Sequence, residues 1–346
     1  MSSKKAAKSV FWALFLLLLS VILCTLAWFS LTIPYRKFAE PVFVEIPKGM
    51  GTRGIANELA RDGVIRYPWQ FLLARVIRPN ASLQAGEYQF TAAASVLTVF
   101  HRIARGDIFY YELTVPEGSN MFDIATNVEN LGASISANDF LAAARQPAMI
   151  HDFAPNAPTL EGYLFPSTYR LTRKTTAQQL CARMTTEFRH EWKLLNAGTG
   201  RDVNAVVTMA SLIEKETAVP AERPVVASVY ENRLLKGISL DCDPATIYAA
   251  LLENRYRGTI YQSDLQSMNA YNTYRHAGLP PGPIANPGIA SLKAALAPAK
   301  TDFLYFVAKP DGSGSHHFSA TLAEHNRAVQ EYRRGLKSGQ QASPVG

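Results

Sequence analysis

The hydrophobic and polar positions along this chain fall into three successive patterns. An unbroken apolar run occupies Val10–Ile33, short alternating segments with helical stripes continue to about residue 150, and longer amphipathic stripes fill most of the remainder. Alternation with a period of two is typical of strands, whereas apolar positions three and four apart indicate helices. The pattern predicts an α+β protein behind an N-terminal transmembrane helix.

The apolar run predicts a membrane anchor. Its 24 residues carry no charge, and as a helix they would span about 36 Å, enough to cross a bilayer core. Lys4, Lys5 and Lys8 precede it, which places the N-terminus in the cytoplasm. A cleaved signal peptide is the alternative, but the run is long for one and no clear small-x-small cleavage site follows. We expect a cytoplasmic N-terminus (1–9), the span (10–33) and a linker (34–41).

The region 42–150 contains one pattern twice. Four positions repeat 69 residues apart: Pro47 and Pro116, Ile55 and Ile124, Gly63 and Gly132, Phe71 and Phe140. Such self-similarity indicates a duplicated strand–turn–helix–helix unit, although chance coincidence is an alternative. The unit resembles LysM-like modules, small βααβ folds that often bind N-acetylated glycan chains; a scaffold that binds nothing is equally compatible with the pattern.

Residues 151–336 are expected to form a second, mixed α+β domain, followed by a disordered polar tail (337–346). The predicted strands are Leu160–Pro166, Thr168–Leu171, Phe303–Ala308 and His316–Ser319. The predicted helices are Thr175–Leu195, Asp202–Thr217, Ala221–Leu235, Ala245–Glu253, Pro287–Ala297 and a last helix from Thr321 to about Arg334. Asp202, Asp243 and Asn286 are the expected N-caps of three of these helices, because their side chains accept hydrogen bonds from free backbone N–H groups.

Composition and charge exclude some functions and leave others open. The chain has 346 residues and a net charge of +7, and its Lys and Arg residues are dispersed beyond the N-terminus. A nucleic-acid reader usually concentrates its positive charge, so nucleic acid is not an expected partner. Cys181 and Cys242 either form a disulfide or are two buried thiols, and the sequence leaves this open. No Cys/His cluster with metal-ligand spacing is present, and His316 and His317 alone are weak evidence for a metal.

Glu216 is the carboxylate that the pattern singles out. On a helical wheel it extends the apolar stripe of Ala205, Val206, Met209, Leu212 and Ile213, whereas Glu214 points to nearly the opposite face. Desolvation on that stripe would favour the protonated carboxyl that a general acid needs near neutral pH. The alternative is a solvated residue at a helix end. Because no nucleophile motif, phosphate loop or zinc motif appears, the sequence leaves single-carboxyl glycan chemistry or no catalysis.

Several motifs together resemble the MltG (YceG-like) endolytic murein transglycosylases. They are Leu160–Pro166, Ala210–Thr217, Asp243-Pro244, Ala270–Tyr274, Gly278–Gly282, Asn286–Gly288 and His317-Phe318. The resemblance makes Glu216, the second glutamate of the E-K-E-T run, the catalytic residue, with Thr217 orienting it or the substrate. The candidate substrate contacts are Glu161, Asp243, Tyr271, Asn272, Asn286 and His317. The acidic pair Asp241 and Asp243 around Cys242 departs from the family pattern, and the sequence gives no reason for Cys242.

The resemblance implies a bacterial enzyme in the cytoplasmic membrane whose catalytic domain faces the cell wall. Members cut nascent glycan strands between N-acetylmuramic acid and N-acetylglucosamine, leave 1,6-anhydromuramyl ends and are thought to set strand length. The implied partners are peptidoglycan strands, the membrane and peptidoglycan synthases, and no cofactor or metal is implied. Two alternatives remain: a hydrolase that uses Glu161 or Asp243 as a second carboxylate, and a non-catalytic anchored scaffold that binds wall polymer.

Overall fold

The computed structural model describes residues 2–35, 38–195, 200 and 202–341, with side chains described only between residues 8 and 336. The chain divides into two compact units, Met1–Tyr110 and Tyr111–Gly346. Each unit has its own hydrophobic core. The protein is therefore a mixed α+β chain with one apolar N-terminal helix, as the pattern predicts.

The first unit begins with the apolar helix α1, Ser2–Thr32. Its segment Lys8–Thr32 is long and apolar enough to cross a membrane, judged by length and composition. A two-stranded antiparallel sheet and three helices follow: β1 Val42–Ile46, α2 Thr52–Arg61, α3 Pro68–Ile77, β2 Gly86–Phe90 and α4 Val96–Arg105. The alternation of β1 buries Val44 and Ile46 against these helices, which is the arrangement its period of two predicts.

The second unit consists mainly of helices. Its elements are β3 Tyr111–Thr114, α5 Met121–Asn130, α6 Ala137–Ala144, β4 Thr168–Leu171, α7 Ala177–Leu194, α8 Val203–Glu216, α9 Arg223–Leu235, α10 Asp243–Leu252, α11 Gln262–Leu265, α12 Ile289–Leu296, β5 Tyr305–Ala308, β6 His316–Ser319 and α13 Leu322–Gln341. Strand β3 pairs with β4, and β5 pairs with β6, both antiparallel. Helix α8 packs against α9 and α12 in the core, which fixes its position.

The 69-residue repeat is visible in the elements. Helix α2, shifted by 69 residues, coincides with α5, and the start of α3 coincides with the start of α6. Each copy closes its own sheet, because β1 pairs with β2 and β3 pairs with β4. The sequence analysis assigned both copies to one region, 42–150. In the structure the boundary between the two compact units follows Tyr110, so each unit contains one copy. The second copy belongs to the larger unit because it shares one core with α7 and α8.

Four details differ from the sequence predictions. Leu160–Pro166 forms consecutive turns instead of a strand, and Gly162 has φ +86° there. Asn286 is not a cap, since α12 begins at Ile289 after Gly288. Asp243 is the first residue of α10, and Cys242 occupies the N-cap position without a side-chain cap bond. The predicted disordered tail begins inside a helix, because α13 continues to Gln341; residues 342–346 lie outside the described part.

Candidate active site

Glu216 is the last residue of α8 and is half-buried at a cavity of about 280 Å³. Residues from α8, α9, the loop before α10, the Tyr274 loop, β5 and α13 line this cavity. They are Glu216, Tyr230, Arg233, Leu240, Asp241, Asp243, Tyr274, Tyr305, Phe306 and His325. A carboxyl at the edge of such a cavity is shielded from bulk water and still accessible to a ligand.

Cys242 holds one oxygen of the Glu216 carboxyl. Its Sγ donates a hydrogen bond to Glu216 Oε1 at 3.2 Å, and the thiol is buried. The Cys242 backbone N–H in turn donates to Thr273 Oγ1 at 2.9 Å, which fixes the residue at the start of α10. Cys242, for which the sequence gave no reason, is therefore in direct contact with the candidate acid.

Tyr230, on α9, is the second neighbour of this carboxyl. Its ring is almost completely buried, and its hydroxyl influences the Glu216 pKa. Within the described part of the chain, the Tyr230 oxygen has no partner at full hydrogen-bond geometry. A buried hydroxyl without a partner is uncommon and costs about 1–3 kcal/mol, so this atom is poised to bind the carboxyl or a ligand.

The surroundings raise the pKa of Glu216 above its ordinary value. Burial is the largest cause, because it disfavours the charged carboxylate, and the negative charge of Asp243 adds to it. The hydrogen bond from Cys242, the nearby Tyr230 hydroxyl and the positive charge of His316 act in the opposite direction and lower the pKa. Because burial prevails, the carboxyl retains its proton to higher pH and can serve as a general acid.

Glu214 has a different, structural role. One of its oxygens accepts a hydrogen bond from Arg223 Nη2 at 2.9 Å, and the other accepts from the Gly288 N–H at 2.9 Å. These contacts tie the end of α8 to α9 and to the start of α12. The prediction that Glu214 and Glu216 are not an acid/base pair on one surface fits this arrangement.

The buried face of α8 is rotated from the predicted stripe. Ala205, Val206 and Met209 are only half-buried, whereas Leu212 and Ile213 are buried as expected. The fully buried face also includes the polar or small residues Asn204, Val207, Thr208, Ala210 and Ser211. Small residues on this face fit close contact with α12, and hydrophobicity alone could not identify them.

Thr217 lies beside Glu216 but is buried and engaged in a loop. Its hydroxyl accepts from the Val219 N–H at 3.0 Å and donates to Glu222 Oε2 at 3.4 Å. Glu222 also accepts the His316 N–H at 2.9 Å and pairs with His316 Nδ1 at 2.8 Å. His316 is therefore the histidine whose charge reaches Glu216, while the predicted contact His317 is exposed on β6.

Asp243 does line the cavity, together with Tyr274. Tyr274 Oη donates to Asp243 Oδ1 at 2.7 Å, and Asp243 itself is exposed. These two side chains provide a carboxylate and a phenol on the wall that faces Glu216. Asp243 is the one predicted substrate contact that shares the cavity with the candidate acid.

Asn272 and Tyr271 lie in the core and not in the cavity. The Asn272 side chain donates to the backbone oxygens of Asp264, Leu265 and Ser267, at 2.8–3.2 Å. The ring of Tyr271 packs against Tyr248, with centroids 5.1 Å apart. Because Asn272 is fully buried and its amide hydrogens are already bonded, it organises the loop instead of offering an amide to a sugar.

Glu161 and Asn286 form a second buried network. The Asn286 amide donates to Glu161 Oε1 at 2.8 Å and to the Ser119 carbonyl at 2.9 Å, and the Met121 N–H donates to Glu161 Oε2 at 2.8 Å. Burial raises the Glu161 pKa to about 8 despite these donors. Both side chains are completely buried, so in this structure neither can contact a polysaccharide.

Sequence reasoning missed most of the cavity wall. Arg233, for example, donates to the Asp241 carboxylate at 3.0 Å, and its guanidinium lies 5.2 Å from the centre of the Tyr305 ring. The Tyr305 ring also stacks on the His325 ring. Arg233 follows no recognisable motif, and His325 belongs to the polar face of a terminal helix.

The sequence left open whether Cys181 and Cys242 form a disulfide. Both cysteines are free and buried, so this disulfide is not formed. Among the residues with described positions, no group of three His, Cys, Asp or Glu side chains is arranged to hold a metal ion.

Comparisons with known proteins identify close counterparts. The model of the YceG-like family matches residues 44–331. An endolytic murein transglycosylase of Bacillus subtilis is 32% identical over 323 residues, covering 88% of each chain. One from Streptococcus pneumoniae is 28% identical over 321 residues, covering 84% of this chain and 58% of the relative. A crystal structure of a yceG-like protein from Listeria monocytogenes has a TM-score of 0.55 and 31% identity, and it covers 83% of this chain.

Proposed function

This chain belongs to the YceG-like family, and from that premise we propose that it cuts peptidoglycan strands internally with Glu216 as the only acid and base. The activity is that of an endolytic murein transglycosylase, a lyase, as in the named relatives. The observation that carries the assignment to Glu216 is its position at the cavity with a raised pKa. The alternatives, a two-carboxylate hydrolase and a non-catalytic scaffold, are not favoured.

In the proposed reaction Glu216 acts twice. Its protonated carboxyl donates to the oxygen that joins N-acetylmuramic acid to N-acetylglucosamine, and that bond breaks. The carboxylate then accepts the proton of the muramyl 6-hydroxyl as this oxygen bonds to C1. The product is a 1,6-anhydromuramyl end, no water is consumed, and the carboxyl returns to its starting state.

The neighbours of Glu216 suit both halves of this cycle. Burial keeps the carboxyl protonated for the first step, while Cys242 and Tyr230 stabilise the carboxylate that the second step requires. Asp243 and Tyr274 face the same cavity and would contact the sugar hydroxyl and acetamido groups. Thr217 would act indirectly, by holding the loop that follows Glu216.

The cellular arrangement is a further part of the proposal. The helix Lys8–Thr32 would anchor the chain in the bacterial cytoplasmic membrane, with Lys4, Lys5 and Lys8 on the cytoplasmic side. Everything after Pro34 would then face the cell wall, where nascent strands and their synthases are. The repeated βααβ pattern would contribute glycan contacts if it acts as a LysM-like module.

The test is a Glu216→Gln variant of the full-length protein, incubated with purified glycan strands and read by mass spectrometry. Glutamine keeps the size of the side chain but cannot transfer the proton, so the rate of anhydro-end formation should fall by about 10²–10⁴. Glu231→Gln, an exposed change on α9, is the matched control and should retain activity.

Product mass separates the mechanisms. Transglycosylation leaves ends that lack one water relative to hydrolysis products, so ends carrying that water would contradict the single-carboxyl cycle. Undiminished anhydro-end formation by Glu216→Gln would contradict the assignment of Glu216.

A further inference from the structure

Helix α3 has apolar residues on two faces. Phe71 and Ala74 are buried in the core of the first unit. On the opposite side Trp69 is 46% exposed and Val76 is 72% exposed. Trp69 and Val76 are seven residues apart and thus lie on one stripe, with Leu72 and Leu73 half-buried between them. An outward apolar stripe with a tryptophan needs a cover that the unit itself does not provide.

The charged residues of α3 and of its two ends are all positive. The sequence of α3 contains no acidic residue. Arg66 and Arg78 are exposed at its two ends, and the Arg66 guanidinium lies 5.3 Å from the centre of the Tyr67 ring. Tyr67 is itself 46% exposed. An apolar face that contains Trp and is flanked by arginines is typical of helices that lie in the interface of an anionic membrane.

The start of α3 is fixed against the end of the apolar helix α1. Gln70 Nε2 donates to the Ser30 carbonyl at 3.0 Å and to Ser30 Oγ at 2.6 Å. Leu31 is 1% exposed and belongs to the core of the first unit. Ser30 is one turn before the end of the apolar run at Ile33, so the first turn of α3 lies beside the last turn of this run.

A cavity of about 330 Å³ separates the two helices at this level. Its walls include Phe29 and Tyr35 from the end of the span and Arg66 from the residues before α3. Aromatic side chains and a cation around one opening match the carbonyl and phosphate region of a lipid.

We propose that the outward face of α3, defined by Trp69 and Val76, lies in the outer interface of the membrane that α1 spans. This proposal rests on the membrane anchor in the proposed function. The occupant is a lipid surface because the first turn of α3 is hydrogen-bonded to the last turn of the apolar helix, and because the charged residues of α3 and its ends are all arginines. The contact would hold the first unit at the membrane in a fixed orientation, instead of leaving it on a free tether.

The test measures quenching of Trp69 fluorescence by brominated lipids. The full chain with Trp12, Trp28 and Trp192 replaced by Phe retains Trp69 alone, and it is reconstituted into vesicles of brominated phosphatidylcholine and phosphatidylglycerol. We expect emission to fall by the same fraction as in a matched protein that retains only Trp28. A protein that retains only Trp192, which is buried in the second unit, is the unquenched control.

The outcomes distinguish this proposal from the anchor. Quenching of both Trp28 and Trp69 supports the interfacial face. Quenching of Trp28 without Trp69 overturns it while leaving the anchor intact, and it would indicate a protein partner or free water at the stripe. Absence of quenching at Trp28 overturns the anchor and this proposal together.

A second measurement avoids the tryptophan replacements. Val76→Cys in a Cys24→Ser background places a spin label on the exposed stripe, while the two remaining cysteines are buried. A label in the interface should be more accessible to oxygen than to a water-soluble nickel chelate. Asn57→Cys, on an exposed position of α2, is the control and should show the reverse preference. Equal behaviour of the two labels contradicts the proposal.

Discussion

At the scale of single residues, opposing contacts set the proton affinity of Glu216. Burial and the Asp243 charge raise its pKa, while Cys242, Tyr230 and His316 lower it. A carboxyl that must give and then take one proton works best when neither form is strongly favoured. The Cys242 thiol is informative because it touches the carboxyl directly and is not itself required by the reaction.

Replacing Cys242 should therefore shift the pH profile. Cys242→Ala removes a donor that stabilises the carboxylate, so the Glu216 pKa should rise. The decline of kcat/KM at alkaline pH, where the acid is lost, should then occur at higher pH. Cys242→Ser keeps a donor and should retain the original profile. An alanine variant whose profile superposes on that of the unmodified protein would contradict this role.

Glu161 makes a separate prediction about stability. Its pKa is raised from 4.5 to about 8 in the folded protein, so between these values the folded state binds a proton that the unfolded state has released. Stability gained from this group is complete below about 4.5 and is lost as the pH rises towards 8. Glu161→Gln does not titrate, so its Tm should decline less over this range. Parallel Tm curves for the two proteins would show that Glu161 is ionised when folded.

At the scale of elements, the turn Leu160–Pro166 supports α8. Gly162 has φ +86°, and a Cβ there would collide with the Pro283 ring and with Val207 of α8. The loop Gly278–Gly288 therefore packs on this turn and on the helix that carries Glu216. This proline-rich loop thus acts as a brace for α8.

Gly162→Ala should test that brace. Gly132→Ala is the matched control, because Gly132 has φ +70° and open space around it. The control should lose about 1–2 kcal/mol of unfolding free energy from the left-handed conformation alone. Gly162→Ala should lose about 1–3 kcal/mol more because of overpacking. Equal losses in chemical denaturation would mean that the contact with Pro283 is not tight.

At the scale of the whole molecule, the chain combines an apolar N-terminal helix, a small unit and a larger unit that contains the site. The first unit includes the end of α1 in its core through Leu31, so the apolar helix and the rest of this unit share one core. The larger unit contains Glu216 and every residue that lines its cavity. The proposed anchor and the proposed chemistry therefore belong to different units of one chain.

The orientation in the membrane is a prediction at this scale. A periplasm-dependent reporter fused after Gly346 should be active, because three lysines hold the N-terminus in the cytoplasm. Changing Lys4, Lys5 and Lys8 to Gln should reduce the exported fraction. An inactive C-terminal reporter on the unmodified chain, with the fusion intact on a blot, would contradict a cell-wall-facing active site.

The sequence by itself determined the elements whose periodicity is local. Strands Thr168–Leu171 and His316–Ser319 were predicted with correct bounds, and Asp202 caps α8 as expected. Capping and alternation depend on residues within a few positions of one another, so they are readable from the chain. The apolar run is readable from the same local information, whereas the stripe that singled out Glu216 is rotated from the buried face of α8.

Only the tertiary structure decided which side chains meet Glu216. Tyr230 and Cys242 come from α9 and from the N-cap of α10, and their convergence on Glu216 depends on how these two helices pack against α8. The same packing buries Asn272, Asn286 and Glu161, because polar groups inside a core must bond to one another. A sequence shows that a residue is polar but not whether its side chain points into the core or towards a ligand. Those three motif residues were therefore expected to contact substrate, whereas the structure places them inside the core.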